Sequence, residues 1–207
     1  MAQSAKDTAD GEIEIIAYVD EDEPYMGQYE ELEVKLFKTK RTVLSKYWNM
    51  AYEKAQGPIY MHCGDDLIFR TQGWDTIVKE AFDRYEDKIV FVHGDDGHTS
   101  RDRAKTFGTH GFLHKNWVEA VGHFVPPHYS SDYNDTHLND VAEMINRKVY
   151  VDILTEHMHP AFGKGEMDKT HEERIQRHQD DKVDQLYASK FHERQEDAEK
   201  LRKVMRG

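Results

Sequence analysis

Short apolar runs alternate with segments of helical periodicity along most of this chain, and this alternation restricts the fold more than any other feature. The runs are only five to seven residues long and rich in Ile, Val, Phe and Tyr, which is typical of buried strands. The predicted strands are residues 13–19, 59–63, 89–93 and 148–154, with 107–113 extended. The predicted helices are residues 43–56, 74–85, 116–121, 134–146 and one long helix over 168–205. The pattern predicts an α/β fold with a mixed, mostly parallel sheet, flanking helices and a long C-terminal helix.

Charge and cysteine content exclude several classes of protein. The 207 residues include 28 Lys and Arg against 40 Asp and Glu, a formal charge of −12, which disfavours broad electrostatic capture of nucleic acid. No apolar run approaches the roughly 20 residues of a membrane span, and the N-terminus has no signal-peptide pattern. Cys63 is alone, so we expect no internal disulfide, no cysteine-based zinc site and a cytoplasmic location.

Acidic residues follow three of the predicted strands. They are Asp20 and Asp22, Asp65 and Asp66, and Asp95 and Asp96. The carboxyl ends of parallel strands meet at one edge of a sheet, where ligands bind. Crowded carboxylates repel each other unless a cation lies among them, and Mg²⁺ and Mn²⁺ prefer such oxygen ligands. A polar turn is the alternative interpretation, because Gly-Asp is also common in turns.

Two histidines late in the chain are candidate metal ligands. If residues 155–160 are extended, His157 and His159 point to the same side, because strand side chains alternate. Both would then bind a metal, or one would bind the metal and the other a phosphate. With 13 histidines in the chain, a chance pairing is the alternative.

Two further segments carry candidate catalytic and binding residues. Asp132 and Asp135 lie close to the start of a predicted helix, where a carboxylate acts as a general base or as a helix N-cap. Lys164 lies between Gly163 and Gly165, which indicates a mobile flap whose ammonium closes on a phosphate, or a plain surface loop.

Taken in order, four segments resemble motifs of small nucleotide-sugar glycosyltransferases of the GT-A fold, of the phage and bacterial type. They are DEDEPY at 20–25, GDDLIFRTQGWD at 64–75, SSDYNDTHLNDVA at 130–142 and EHMHPAFGKGEMDKT at 156–170. The resemblance spans about residues 10–175, and it lies in the order and spacing of the motifs together. It implies a catalytic domain over 1–167, and a charged helix over 168–207 that packs on this domain or on a partner.

The resemblance also implies roles for individual residues. Asp66 and Asp65 would hold Mn²⁺ or Mg²⁺ on the donor diphosphate, with His159 or His157 as a further ligand. Asp20 and Asp22 would lie near the nucleoside, and Lys164 would belong to the flap over the diphosphate. Asp135 would be the general base on the acceptor, with Asp132 as its substitute.

The function implied is transfer of a sugar from a nucleotide-diphosphate donor, UDP-sugar above all, to a hydroxyl acceptor with inversion. A modified DNA base and a glycan are both open as acceptors, no membrane partner is expected, and a homo-oligomer is among the expected partners.

Members of this family usually begin with one more strand, so we expect a shortened domain here. A non-catalytic binding or assembly protein is therefore the alternative. A metal hydrolase is disfavoured, because the sequence has no HExxH motif.

Overall fold

The computed structural model describes residues 1–23, 27, 29, 31–160, 163–167 and 169–207. Pro24, Tyr25, Ala161, Phe162 and Asp168, which belong to the segments compared above, lie outside the described residues. The strands are β1 (Ile16–Asp20), β2 (Lys35–Thr39), β3 (Ile59–Met61), β4 (Leu67–Phe69), β5 (Phe91–Asp95), β6 (Gly111–His114) and β7 (Lys148–His157). The helices are α1 (Ala2–Thr8), α2 (Leu44–Lys54), α3 (Trp74–Asp83), α4 (Arg101–Thr106), α5 (Lys115–Val121), α6 (Asn134–Met144), α7 (Lys169–Asp180), α8 (Val183–Ser189) and α9 (Phe191–Met205).

The strands form two sheets, and the larger one is mixed. β1 and β2 pair in parallel, and the other five strands are ordered β3-β6-β5-β7-β4. In this larger sheet only β5 and β7 are parallel neighbours, while β3–β6, β6–β5 and β7–β4 are antiparallel. The α/β class is confirmed, but the prediction of a mostly parallel sheet is wrong. Periodicity identifies strands without giving their direction, and the three-residue β4 was not predicted at all.

The C-terminal segment is three helices, where the sequence pattern predicted one. The helical path breaks at Lys182, whose backbone is left-handed with φ of 47°, and again at Lys190 between α8 and α9. Neither break is marked by Gly or Pro, so the helical periodicity continues through both of them.

The core lies on both faces of the larger sheet, because successive strand residues face opposite sides. On β5, Phe91 faces the cluster built with α5, α6 and α9, whereas Val92 faces the cluster built with α1 and α3. Ala198 and Leu201 of α9 are fully buried in the first cluster. The last helix therefore packs on the domain itself. Among the described residues, no helix is both long and apolar enough to cross a bilayer.

A cavity of about 530 Å³ lies between the two sheets. All three residues of β3, which is an edge strand, line it, and Ile16 of β1 lines it from the other side. Apolar side chains such as Met1, Trp74 and Phe82 form much of the remaining wall.

Candidate functional site

The strand directions bring the predicted ligands to one edge of the larger sheet. β3 runs parallel to β5 and β7, because β6 lies antiparallel between β3 and β5. The segments that follow these three strands therefore meet at the same edge. β4 starts there as well, with Leu67 paired to His157, and the backbone N–H of Met158 donates to the carbonyl of Asp66 at 2.8 Å. This pairing fixes Asp66 beside the end of β7.

Asp66 and His157 are in direct contact. His157 Nε2 lies 2.9 Å from Asp66 Oδ2, and the Asp66 side chain is 30 % exposed. Burial alone would raise the pKa of Asp66, but the hydrogen bond from His157 lowers it below its ordinary value. The carboxylate is therefore ionised at neutral pH and available to a cation.

His157 belongs to a row of imidazoles that runs from the core to the surface. Its ring centroid lies 4.7 Å from that of His110 and 5.0 Å from that of His159. The row continues inward from His110 to His62 at 6.4 Å and outward from His159 to His171 at 5.0 Å. Burial lowers the pKa of His62 to about 4 and that of His110 to about 3, so the inner end of the row is uncharged at neutral pH.

Helix α7 connects this row to Asp132. Arg174 Nη1 donates to His159 Nε2 at 3.1 Å, and Arg174 Nε lies 3.0 Å from Asp132 Oδ1. His178 Nδ1 contacts the other oxygen, Asp132 Oδ2, at 2.7 Å. Burial, with the positive charge of Arg174, lowers the pKa of His159. Asp132 is thus held by two basic side chains of α7, and Arg174 bridges it to a predicted metal ligand.

Asp135 lies at the second position of α6, and it is not the N-cap. That position belongs to Tyr133, which has a left-handed backbone and no side-chain cap bond. Asp135 Oδ1 instead accepts from the backbone N–H of Thr136 at 2.7 Å. Burial, together with the charge of Asp132, raises the pKa of Asp135, although the Thr136 hydrogen bonds and Arg103 act in the opposite direction. The charge of Asp132 therefore acts on Asp135.

Asp20 and Asp22, which were predicted to lie near the nucleoside, differ in their surroundings. Asp20, at the end of β1, accepts a hydrogen bond from the hydroxyl of Tyr47, and Arg41 Nε lies 3.7 Å from it. Arg41 also pairs with Glu173 of α7, which links Asp20 to the helix that covers the histidine row. Asp22 is exposed.

Two other predicted site residues, Asp65 and Lys164, lie at the same edge of the larger sheet. Asp65 is exposed beside Asp66. Lys164 Nζ lies 2.9 Å from Glu156 Oε1 and donates to the carbonyl of Gly97 at 2.8 Å. The lysine is therefore docked on the sheet edge at the ends of β5 and β7.

Sequence reasoning did not identify the residues of α7 or the structural contacts of Asp96. His171, Arg174 and His178 are spaced three and four apart, a signal that they share one helix face. Asp96 is 3 % exposed and accepts from Thr109 Oγ1 at 2.6 Å, so it anchors the loop after β5.

A different group of side chains best satisfies the distances for a shared metal ion. Among the described residues, His123, His137 and Asp197 form the one group of three whose ligand atoms all lie within 4.8 Å of one another. None of the three was predicted as a ligand. The predicted pair Asp66 and His157 is in contact, but no third described ligand lies as close to both.

No protein-family model matches this chain. No curated protein matches it either.

Proposed function

We propose that this protein is a metal-dependent glycosyltransferase that moves a sugar from a nucleotide-diphosphate donor to a hydroxyl acceptor. The observation that supports it most is the 2.9 Å contact between Asp66 and His157. Both residues belong to the resembling segments, and they are far apart in sequence. A chance likeness of motifs would not require these two side chains to share one edge of the sheet.

The donor atoms suit a divalent cation. Cis ligands of an octahedral ion with bonds of about 2.1 Å lie about 3 Å apart, close to the observed separation. A carboxylate and an imidazole together suit Mn²⁺ better than Mg²⁺, which prefers oxygen alone. Asp66 and His157 would hold the ion, with His159 and the exposed Asp65 as further ligands. When bound, the ion would supply charge neutralisation to the departing diphosphate.

We assign Asp135 as the general base that acts on the acceptor hydroxyl. A carboxyl group with a raised pKa is a stronger base than an ordinary aspartate, which suits removal of a proton from an acceptor hydroxyl. Asp132 is engaged by Arg174 and His178, so we assign it to positioning. Attack from the face opposite the leaving group gives inversion.

The remaining contacts of the donor follow from the same arrangement. Lys164, docked beside the sheet edge, would turn its ammonium toward the diphosphate, and Asp20 and Asp22 would face the nucleoside, for which uridine is our choice. The acceptor, a modified DNA base or a glycan, stays a prediction. The cytoplasmic location and the homo-oligomer stay predictions as well.

A screen of sugar nucleotides with Mn²⁺, measuring released nucleoside diphosphate, tests the proposal. We expect release with one donor and a rise in melting temperature when Mn²⁺ and the matching nucleoside diphosphate are added together. Absence of both effects with every donor would contradict it.

The second candidate is a non-catalytic binding or assembly protein, and the cavity between β1 and β3 favours it. An edge strand beside an apolar cavity is a surface on which an extended segment of another chain can add a strand. Donor binding without turnover, together with a self-associated state in light scattering, would support this candidate. Measurable hydrolysis of a sugar nucleotide would contradict it.

A further inference from the structure

Three segments that are distant in sequence converge on one carboxylate oxygen. His123 follows the end of α5, His137 lies in α6, and Asp197 lies in the middle of α9. His137 and Asp197 are only 1 % and 4 % exposed, and the His123 side chain is 18 % exposed. The cluster is therefore built where the last helix packs on the domain.

The distances match tetrahedral coordination. His123 Nε2 and His137 Nε2 lie 3.3 and 3.2 Å from the same atom, Asp197 Oδ2. Ligands of a tetrahedral zinc ion with bonds of about 2.0–2.1 Å lie about 3.3 Å apart. Each imidazole nitrogen thus lies at the ligand spacing of such a tetrahedron from the carboxylate oxygen, and the two nitrogens lie within 4.8 Å of each other.

The carboxylate is held in the orientation that a metal ligand needs. Lys200 Nζ lies 3.0 Å from Asp197 Oδ1 and 3.3 Å from the carbonyl of Val121. Oδ1 is therefore engaged, while Oδ2 faces the imidazoles. Outer partners of this kind fix the ligating atom in metal sites.

We propose that His123, His137 and Asp197 bind one Zn²⁺ ion, which fastens α9 to the end of α5 and to α6. The site is independent of the proposed transferase activity, since it shares no residue with the edge at Asp66. Its role is structural: α9 is highly charged, and its apolar contribution to the core cluster is limited to the buried Ala198 and Leu201 and the partly buried Met205. Metal bonds would add to that limited apolar packing.

The test measures zinc directly on the full chain, prepared without a polyhistidine tag. The chain is stripped with a chelator, loaded with Zn²⁺, dialysed and analysed for metal content. We expect one Zn²⁺ per chain that survives dialysis, a higher melting temperature with Zn²⁺, and visible absorption of tetrahedral Co²⁺ when cobalt replaces zinc.

Single substitutions test which side chains hold the zinc ion. His123→Gln, at the more exposed ligand, should still fold and should lose more than tenfold in zinc affinity, because even outer partners of metal ligands cost that much. His128→Gln is the matched control, since its ring lies 5.4 Å from the ring of His137 but it is not a member of the cluster. Asp66→Asn is the second control, and it should retain zinc.

Three results would overturn the proposal. They are a wild-type chain that retains no Zn²⁺, a His123→Gln variant that binds Zn²⁺ as tightly as the wild type, and zinc that is lost in Asp66→Asn. The first would leave a hydrogen-bonded cluster in which both imidazoles donate to Asp197. The third would assign the ion to the sheet edge.

Discussion

The two clusters of potential ligands differ in where they lie and in what builds them. The Asp66 and His157 pair lies at the end of strands, is partly exposed, and is positioned by the pairing of β4 with β7. The cluster at Asp197 lies between helices and is mostly buried. Strand ends share an edge when strands run the same way, so the sequence grouped these side chains through the expectation of parallel strands, which holds for β3, β5 and β7. Contacts between helices depend on which helix faces pack together. The spacing of apolar residues along the chain does not reveal the partner of each face.

The two clusters also differ in how readily a ligand could enter. At the sheet edge, Arg174 and His178 of α7 hold Asp132 through ion pairs that are partly exposed, and Arg174 also donates a hydrogen bond to His159. Such pairs are weak and can be exchanged for contacts with an anion. At Asp197 the partners are enclosed by packed helices. We therefore assign ligand exchange to the first cluster and structural stabilisation to the second.

The sharpest test of this contrast is Asp66→Asn. Removing one electrostatic partner of a developing charge typically costs about 10²–10³ in rate, and we expect a loss of that size in nucleoside diphosphate release. Asp152→Asn, an exposed acid on β7, is the matched control and should retain full activity. Equal activity in both variants would contradict the assignment of Asp66.

A core variant tests whether α9 is integral to the domain. Leu201→Ala removes a fully buried side chain from the cluster shared with α5 and α6, which we expect to cost about 2–5 kcal/mol in the free energy of unfolding. Val204→Ala, on the exposed side of the same helix, should cost far less. Urea denaturation measures both, and similar losses would mean that α9 is not packed as described.

Acid should weaken the fold through the inner end of the histidine row. Burial lowers the pKa of His62 from its ordinary value of 6.5 to about 4, so below pH 6.5 the unfolded chain binds a proton that the folded chain does not. Stability then falls as the pH drops from 6.5 to 4, by up to about 1.4 kcal/mol per pH unit for each such histidine.

His62→Phe should reduce that pH dependence, because Phe cannot titrate and the site is lined by the rings of Trp48 and Phe124. Urea denaturation at several pH values between 4 and 7 measures the slope for both proteins. An unchanged slope in the variant would show that His62 is not the group responsible.

The smallest effect on stability is expected from Arg174→Gln. Its pair with Asp132 is partly exposed, so the free energy of unfolding should change by less than about 1 kcal/mol. If α7 covers the donor site, the same variant should change the KM for the sugar nucleotide. Arg84→Gln, an exposed residue after α3, should change neither quantity. A KM equal to that of the wild type would separate α7 from the donor site.

Part of the fold could be predicted because it is local. The helices at Leu44–Lys54, Trp74–Asp83 and Asn134–Met144 follow their apolar periodicity, and β1, β3, β5 and β7 follow their apolar runs. β2, β4 and α4 were not predicted. β2 carries charged side chains at Lys35 and Lys38, and β4 has only three residues, so neither shows a clear pattern.

The residues of the candidate site were likewise only partly predicted from the sequence. Acids after strands, and His157 near His159, were visible as short patterns. The bridging role of Arg174, the anchoring role of Asp96 and the cluster at Asp197 were not, because each depends on a contact between distant segments.

The α/β class, the positions of most strands and helices, and the acidic character of the segments after the strands follow from the amino-acid sequence alone. The directions of β4 and β6, the break of the C-terminal segment at Lys182, and the contacts between particular histidines and aspartates emerge only in the folded chain. Periodicity records which face of an element is buried, whereas strand direction and helix partners are set by packing between elements that the chain brings together only when it folds.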